Sequence, residues 1–546
     1  MLWFLRDYPL AALLMRAATL AFDSLLIGGI FFCAILLPPP LANLAGSNFI
    51  TRARRLLRIA ALGLATTQVC FVSLNSAMLI GTSPLRLADL YTANYFLAGI
   101  GMTATACLFL LLSRFDFPTK LAWLLIAAPL LLATVWTSHS ASRLEHRLPL
   151  MILTGLHQLT AALWIGGMPF LWLLLGSAFA ATASAESEKV LAVRRYSTTA
   201  LISVIVLVLA GITMGWFYTQ SWSAVYGTAY GVVLLAKSAL LVALLFLGGG
   251  NLLLVRTGRL ALPKSLLRIA RFSEVEIGIG FTIILAAASL SAQPPAVDLV
   301  QNRLTRPEIA ARFTPGLPRL STPPIAAMPP VQPFHQAVQQ YAMSPDDASS
   351  ANNSVEQAWS EYNHHWAGIV VFAAGLFAML GRWRRARWAR HWPLVFLALA
   401  IFLFFRADPE AWPLGPRGFW DSLYNPEDVQ HRLFILLIVS FVFFEWSVQT
   451  GRLVSQRAVL VFPAVCALGG ALLLTHNHSL GNVKEELLTG ISHTAIAICA
   501  VVAGGSRWLE LRAQESSESG AKSAAAWTWP ICLMLIGLIL LNYREG

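Results

Sequence analysis

Three histidines and several acids surround an apolar run near the C-terminal end of the chain. Residues 475–512 read THNHSLGNVKEELLTGISHTAIAICAVVAGGSRWLELR, with His476 and His478 in front of the run and His493 inside it. Neutral imidazole is a common protein ligand for copper, zinc and haem iron. An ionisable side chain at membrane depth is costly and usually marks a pathway or a cofactor. The pattern predicts that His476 and His478 meet a metal ion outside the membrane and that His493, within a side chain's reach of one of them, takes it deeper.

Further histidines share this placement on the predicted external side of a membrane, whereas His391 alone falls on the cytoplasmic side. For any single one of them the alternative is an amphipathic side chain at the lipid headgroups, but two lie well inside predicted helices. The candidate ligands for copper or haem are His139, His157, His364, His431, His476, His478 and His493.

Four charged residues in or at the ends of apolar runs are candidates for a transport path: Asp23, Lys237, Glu276 and Glu486. Asp23, Lys237 and Glu486 have structural alternatives. Lys237 could extend its stem to the interface or pair with Asp23. Glu486, with its neighbour Glu485, could either favour a cation at the mouth of a path or complement the dipole at a helix N-terminus.

The composition places these residues in a membrane protein. The 546 residues are 57% hydrophobic and 12% charged, with a mean hydropathy of +0.65. Apolar stretches of about 17–25 residues, enough to cross a bilayer core, recur along the chain. We predict an all-α polytopic membrane protein of about fourteen transmembrane helices, the first of them full length and uncleaved. Their approximate spans are 12–37, 58–82, 95–113, 120–138, 149–176, 198–218, 230–255, 272–292, 366–381, 393–406, 431–449, 457–475, 485–505 and 527–542.

The basic residues sit in alternate connections, so the net charge of +12 indicates membrane topology rather than a nucleic-acid partner. Arginines and lysines cluster around 52–58, 256–271 and 382–390, which is the positive-inside pattern. It predicts that both termini, the segment 293–365 and the turn 476–484 face outward, while 382–391 faces the cytoplasm. The Pro-rich segment 293–365 is then a periplasmic linker between membrane domains at 1–292 and 366–546.

The first eight spans carry signs of an internal duplication. Both DSLLIGGIFFCAILL (23–37) and AALWIGGMPFLWLLL (161–175) contain Ile-Gly-Gly before an apolar tail. A Thr-Ala pair recurs at Thr92 and Thr228, at nearly the same offset. We predict two copies of a four-helix unit that superpose Gly28 on Gly166, with the glycines serving close helix packing.

Several motifs, in order along most of the chain, resemble those of the CopD family of bacterial copper-resistance membrane proteins. They include GLHQLTAALWIGGMPFLWLLL (155–175), TAYGVVLLAKSALLVALLFLGGGN (228–251) and RFSEVEIGIGFTIILAAASLSAQPP (271–295), within a CopD-like region at about 150–295. The C-terminal half, through YNHHWAG, RADPEAWPLGP and HNHSLGNVKEELL, is similar to the long form of that family. The resemblance implies copper handling at the bacterial inner membrane, commonly as uptake, alongside a periplasmic copper protein of the CopC type.

Three functions fit these features. The first is passive or gradient-driven copper transport, because the chain has neither a Walker A motif nor a phosphorylatable Asp-Lys-Thr-Gly. The second is a haem b electron carrier or cupric reductase, in which His157 would hold haem with a partner at matching depth. The third is copper delivery for oxidase assembly.

The external segment has no dense methionine run, so imidazole is the main expected ligand, which suits Cu(II) and tolerates Cu(I). No ATPase role is predicted, and a redox role stays open as the second alternative.

Overall fold

A computed structural model gives the fold of the chain. It describes residues 2–39, 48–114, 120–177, 183–258, 260, 263–324, 353–423, 426–475, 483–512 and 519–545. These residues form helices and no β-strand, which confirms the all-α prediction. They divide into two compact units: residues 1–225 with 233–300, and residues 226–232 with 301–546.

Long helices make up the first unit. In chain order these are α1 (Leu2–Phe31), α2 (Asn48–Thr82), α3 (Asn94–Leu112), α4 (Lys120–Trp136), the short α5 (His139–Ser142), α6 (Arg147–Ala161), α7 (Met168–Leu175), α8 (Ala183–Thr219), the short α9 (Trp222–Tyr226), α10 (Ala229–Arg256) and α11 (Pro263–Ala292). Two π-helical segments interrupt the regular pattern: Phe32–Leu36 extends α1, and Ala162–Gly166 joins α6 to α7.

The second unit is also helical. It contains α12 (Arg306–Phe313), α13 (Asn353–Leu380), α14 (Val395–Arg406), the short α15 (Phe419–Ser422), α16 (Pro426–Gln449), α17 (Val461–Leu473), α18 (Val483–Arg512) and α19 (Ser519–Leu541). One buried cluster of this unit packs Trp392, Phe462 and Trp529 with small residues of α13 such as Ala374.

The predicted spans correspond one for one to helices of the structure. Among the described residues, 12 helices are long and apolar enough to cross a membrane, and shorter apolar helices at Leu125–Trp136 and Ala458–Leu473 match the remaining two spans. Helices are favoured because lipid offers no hydrogen-bond partner to an exposed backbone group. The chain is therefore a multi-pass membrane protein.

Part of the predicted linker folds as a helix within the second unit. Thr305 caps α12, accepting a hydrogen bond from the Glu308 backbone N–H while the Glu308 carboxylate accepts one from the Thr305 backbone N–H. Lys484 of α18 then donates to Glu308 Oε1 at 2.7 Å. Residues 325–352 lie outside the described part of the chain, so the predicted limits at 293 and 365 stay predictions.

The two Ile-Gly-Gly segments cross each other directly in the first unit. A Cβ added to Gly28 would lie 2.2 Å from the Ala162 carbonyl oxygen, and one added to Gly166 would lie 1.9 Å from the carbonyl oxygen of Ser24. These are backbone atoms, which cannot swing aside as a flexible side chain can. The glycines therefore allow α1 to approach the π-helical segment closely, as predicted from their packing role. The superposition of two four-helix copies stays a prediction.

We expect Gly166→Ala to destabilise the first unit, because the new methyl group forces two backbones apart. Overpacking a tight contact costs ~1–3 kcal/mol. The matched control is Gly101→Ala in α3, where an added Cβ meets no atom within 4 Å. Thermal unfolding in detergent should show a lowered midpoint for Gly166→Ala and an unchanged or raised one for Gly101→Ala. Equal midpoints for the two variants would contradict the close crossing.

Candidate functional site

Two of the predicted histidines meet in the second unit. His364 lies in α13 and His493 in α18, with ring centroids 6.2 Å apart and ring planes nearly perpendicular. Each ring makes the same local bond: Nδ1 of His364 lies 2.8 Å from the Ser360 carbonyl oxygen, and Nδ1 of His493 lies 2.9 Å from that of Thr489. A carbonyl only accepts, so both Nδ1 atoms carry the proton. This tautomer leaves the lone pair on Nε2, which is the form that ligates a metal.

Tyr543, just after α19, completes the setting of the pair. Its ring stacks on His364 at 3.9 Å and lies edge-on to His493 at 5.9 Å. His365 fixes this segment, since its Nε2 lies 2.8 Å from the Tyr543 carbonyl oxygen while its Nδ1 accepts the Arg319 backbone N–H at 2.7 Å. Both ring nitrogens of His365 therefore serve structure. Only the neighbouring His364 takes part in the pair.

Arg312 of α12 brings a positive charge close to this pair. Its Nη2 donates to Thr489 Oγ1 at 3.1 Å, and its guanidinium lies 5.6 Å from the centroid of the Tyr543 ring. Glu361, Glu485 and Glu545 interact electrostatically with Arg312 and offset its charge. Burial raises the pKa of Glu545. The histidine pair, hereafter the His364–His493 pair, thus lies among balanced charges rather than in an electropositive pocket.

An exposed ion pair links the first turn of α12 to α18. The Lys484 ammonium is the main cause that lowers the pKa of Glu308 to about 2, with the Thr305 bonds adding to it. Glu308 is therefore ionised at neutral pH. The pair fastens α12 to the first turn of α18, the helix that carries His493.

Two imidazoles are an incomplete ligand set for most copper sites. Among the described residues, no three His, Cys, Asp or Glu side chains come together as a metal site. His476 and His478 lie outside the described residues, so their predicted proximity to His493 stays a prediction. Glu486, in the first turn of α18, is half-buried, and its role on a transport path also stays a prediction.

Another predicted histidine, His157 of α6, has a partner at each of its ring nitrogens. Its Nδ1 lies 3.0 Å from the Leu207 carbonyl oxygen, and its Nε2 lies 3.5 Å from Nζ of Lys237. A metal ion at Nε2 would have to displace the lysine and face its charge. The haem alternative asked for a ligand partner at matching depth, and the residue found there is Lys237 rather than a histidine.

The proposed pairing of Asp23 with Lys237 is not made. Asp23 is 5% exposed, accepts a hydrogen bond from Thr134 Oγ1 at 3.0 Å and interacts electrostatically with Arg16. Arg16 itself donates to Thr137 Oγ1 at 3.0 Å. Asp23 contacts Thr134 because α1 packs against α4. Sequence reasoning missed Arg16, although an arginine seven residues before Asp23 lies two turns away on the same helix.

The remaining candidates have contacts of their own within the described part of the chain. His431 Nδ1 is 2.6 Å from Asp408 Oδ1, a carboxylate–imidazole contact of the kind that orients metal ligands. His139, in the short α5, is half-buried, and burial is the main cause that lowers its pKa. Glu276 of α11 accepts a hydrogen bond from Asn251 Nδ2 at 2.5 Å beside a cavity.

Comparisons with known proteins place a copper-related family in the first unit. Residues 190–290 match the family described as copper resistance protein D, CopD. The chain is also similar to the copper transport protein CutJ of Bacillus subtilis (strain 168), with 34% identity over 168 residues. That match covers 30% of this chain and 29% of the relative, so it spans less than a third of either protein. No solved structure matches the chain significantly.

The matched segment covers most of α8, all of α10 and nearly all of α11. It therefore contains Lys237, Asn251 and Glu276. The segment excludes His157, and it also excludes the His364–His493 pair. The family match and the best-formed imidazole pair thus fall on different units of the chain.

Proposed function

Since the chain carries a CopD-family region at residues 190–290, we propose that it moves copper ions across the bacterial inner membrane. The structural observation that supports this proposal is the His364–His493 pair, held between two membrane-spanning helices with both rings in one tautomer. The relative whose printed name includes copper transport supports the same class of cargo.

Imidazole nitrogen suits both oxidation states of copper, and it needs no deprotonation at neutral pH. His493 is 8% exposed, so its ring lies away from bulk solvent. A polar ring in such a place is usually functional. Two such rings are suited to transient ligation, because a copper ion held by few protein ligands can dissociate again.

The direction that we propose is uptake from the periplasm, and the orientation rests on charge. Arginines at 382–390 follow the end of α13 that is opposite to His364, and the positive-inside rule places them in the cytoplasm. Both termini and the His364–His493 pair then face the periplasmic half. A periplasmic copper protein of the CopC type is the partner that we propose to supply the ion.

Copper uptake into proteoliposomes tests the function. We expect wild-type protein to admit copper above the rate of empty liposomes, and the double variant His364→Ala/His493→Ala to lose most of that flux. The control is His146→Asn, which changes an exposed histidine at a left-handed backbone position that asparagine tolerates. Wild-type protein that binds copper without flux would favour copper delivery instead. A Soret band in the purified protein would favour the haem alternative.

A further inference from the structure

A cavity of about 150 Å³ lies inside the first unit, and no histidine is among the residues that line it. It is bounded by the π-helical segment before α7 and by α8, α10 and α11. Most of its wall is apolar, but five oxygen-bearing side chains line it: Tyr196, Ser197, Asn251, Ser273 and Glu276. A space of this size can hold an ion with some of its water.

Glu276 brings a single acidic group to this cavity. Its side chain is 4% exposed and lies near the middle of α11, within an apolar stretch. Asn251 Nδ2 is its hydrogen-bond donor, and no salt bridge to Glu276 forms among the described residues. A buried carboxylate without a positive partner is expensive, so a bound cation would stabilise it.

Asn251 offers a second oxygen to the same space. Its Nδ2 is used by Glu276, while its Oδ1 is buried and has no hydrogen-bond partner within the described part of the chain. A buried acceptor left unpaired costs ~1–3 kcal/mol. An ion or its water at this oxygen would remove that cost.

The adjoining π-helical segment gives the wall an irregular backbone. Trp164 belongs to this segment and lines the cavity, and its carbonyl oxygen accepts a hydrogen bond from the buried Tyr196 hydroxyl at 2.5 Å. Such π-bulges within α-helices frequently occur at functional sites. The site is therefore built from a carboxylate, an amide oxygen and hydroxyls on separate helices.

We propose that this cavity binds a monovalent alkali cation, Na⁺, through Glu276 and Asn251. One carboxylate balances one positive charge, whereas a divalent ion would leave a net charge inside the membrane. Oxygen ligands suit hard cations, and Met168 is the one soft ligand atom on the wall. Protonation of Glu276 alone would leave the cavity unfilled and the Asn251 amide oxygen without a hydrogen-bond partner.

The position of the site on α10 suggests a use for the ion. Lys237 and Asn251 are 14 residues apart on this helix, or ~21 Å along its axis. The sodium site and the Lys237–His157 contact thus lie at different depths of one membrane unit. A role for Na⁺ as the coupling ion rests on the proposed copper transport, but binding of Na⁺ does not.

Binding is tested on the full-length protein in detergent, without copper. We expect NaCl to raise the unfolding temperature saturably relative to choline chloride at equal ionic strength, since a ligand stabilises the state that binds it. Glu276→Gln should abolish this shift, and Asn251→Ala should weaken sodium affinity about 10-fold. Glu274→Gln is the matched control, because Glu274 lies two residues away but pairs with Arg271 instead.

Several outcomes would overturn the site. Identical stabilisation of the wild type by sodium and choline would do so, as would a sodium effect that survives in Glu276→Gln. If Glu276→Gln fails to fold, Asn251→Ala and the wild-type titration still decide. A shift of the unfolding temperature produced by Cu(I) and not by Na⁺ would assign the cavity to copper. An unfolding temperature that depends on pH but not on Na⁺ would mean that Glu276 is simply protonated there. Failure here leaves the copper-flux experiment unaffected.

Discussion

Replacing His493 with alanine is expected to lower the copper affinity of the folded protein by about 10–100-fold, the range seen when a ligand or its supporting contact is lost. The reason is geometric. Its ring lies 6.2 Å from that of His364, with Nδ1 bonded to the Thr489 carbonyl oxygen. The measurement is copper per folded molecule over a titration of free copper. His364→Ala should lower the affinity to a similar extent.

The double variant separates a shared site from two separate ones. If both rings hold one ion, removing the second after the first costs little more, because residues that act together are not additive. The exposed His146→Asn should bind as the wild type does. Additive losses in the double variant would mean that the rings act independently. Unchanged copper content in all variants would remove the pair from the copper site.

A packing role for His493 predicts a different pattern. The ring contacts His364 and Tyr543, so its loss could also loosen the contact of α18 with the segment after α19. Unfolding temperature would then fall while copper per folded molecule stayed constant. Tyr543→Phe provides a check, because it keeps the ring stacked on His364 and is expected to leave copper affinity unchanged.

The spans were predictable because hydrophobicity alone decides which segments can enter lipid. The boundaries of the helices were less predictable. The sequence predicts a span at 366–381, whereas α13 begins at Asn353, which places His364 inside a helix. The polar residues before the apolar run continue the same helix, and their lack of hydrophobicity hid that continuation. Both members of the His364–His493 pair were candidates, but their pairing depends on the packing of α13 and α18 against α19.

The contacts of the buried charged residues were harder to predict than the residues themselves. Lys237 and Asp23 stood out because each interrupts an apolar run, yet Lys237 contacts His157, and Asp23 contacts Thr134. Nothing in a linear pattern ranks these partners, since each contact joins distant parts of the chain. Arg312 was missed for a different reason. It lies in a segment predicted as linker, where no helix was expected.

The second unit also contains a buried ion network that the sequence analysis missed. Glu510, near the end of α18, accepts hydrogen bonds from Arg382 at 2.6 Å and from Arg507 at 2.7 Å. Trp529 Nε1 donates to the same carboxylate at 2.8 Å. Arg507 also lies 4.0 Å from Glu445 of α16. The carboxylate of Glu510 thus joins α18, α19 and the segment after α13, and Arg507 extends the network to α16. The Glu510 side chain is 7% exposed.

Neutralising Glu510 should therefore destabilise the second unit strongly. In Glu510→Gln both arginines keep their charge but lose their closest carboxylate, and breaking a buried pair by removing one partner costs ~3–5 kcal/mol. The control is Glu308→Gln, whose pair with Lys484 is more exposed and should matter little to global unfolding. Unfolding in detergent measures both variants. The double variant Arg382→Met/Glu510→Leu should recover part of the loss, because apolar residues can replace a buried ion pair with little penalty. An equal, small loss in Glu510→Gln and Glu308→Gln would mean that the network is not what joins these helices.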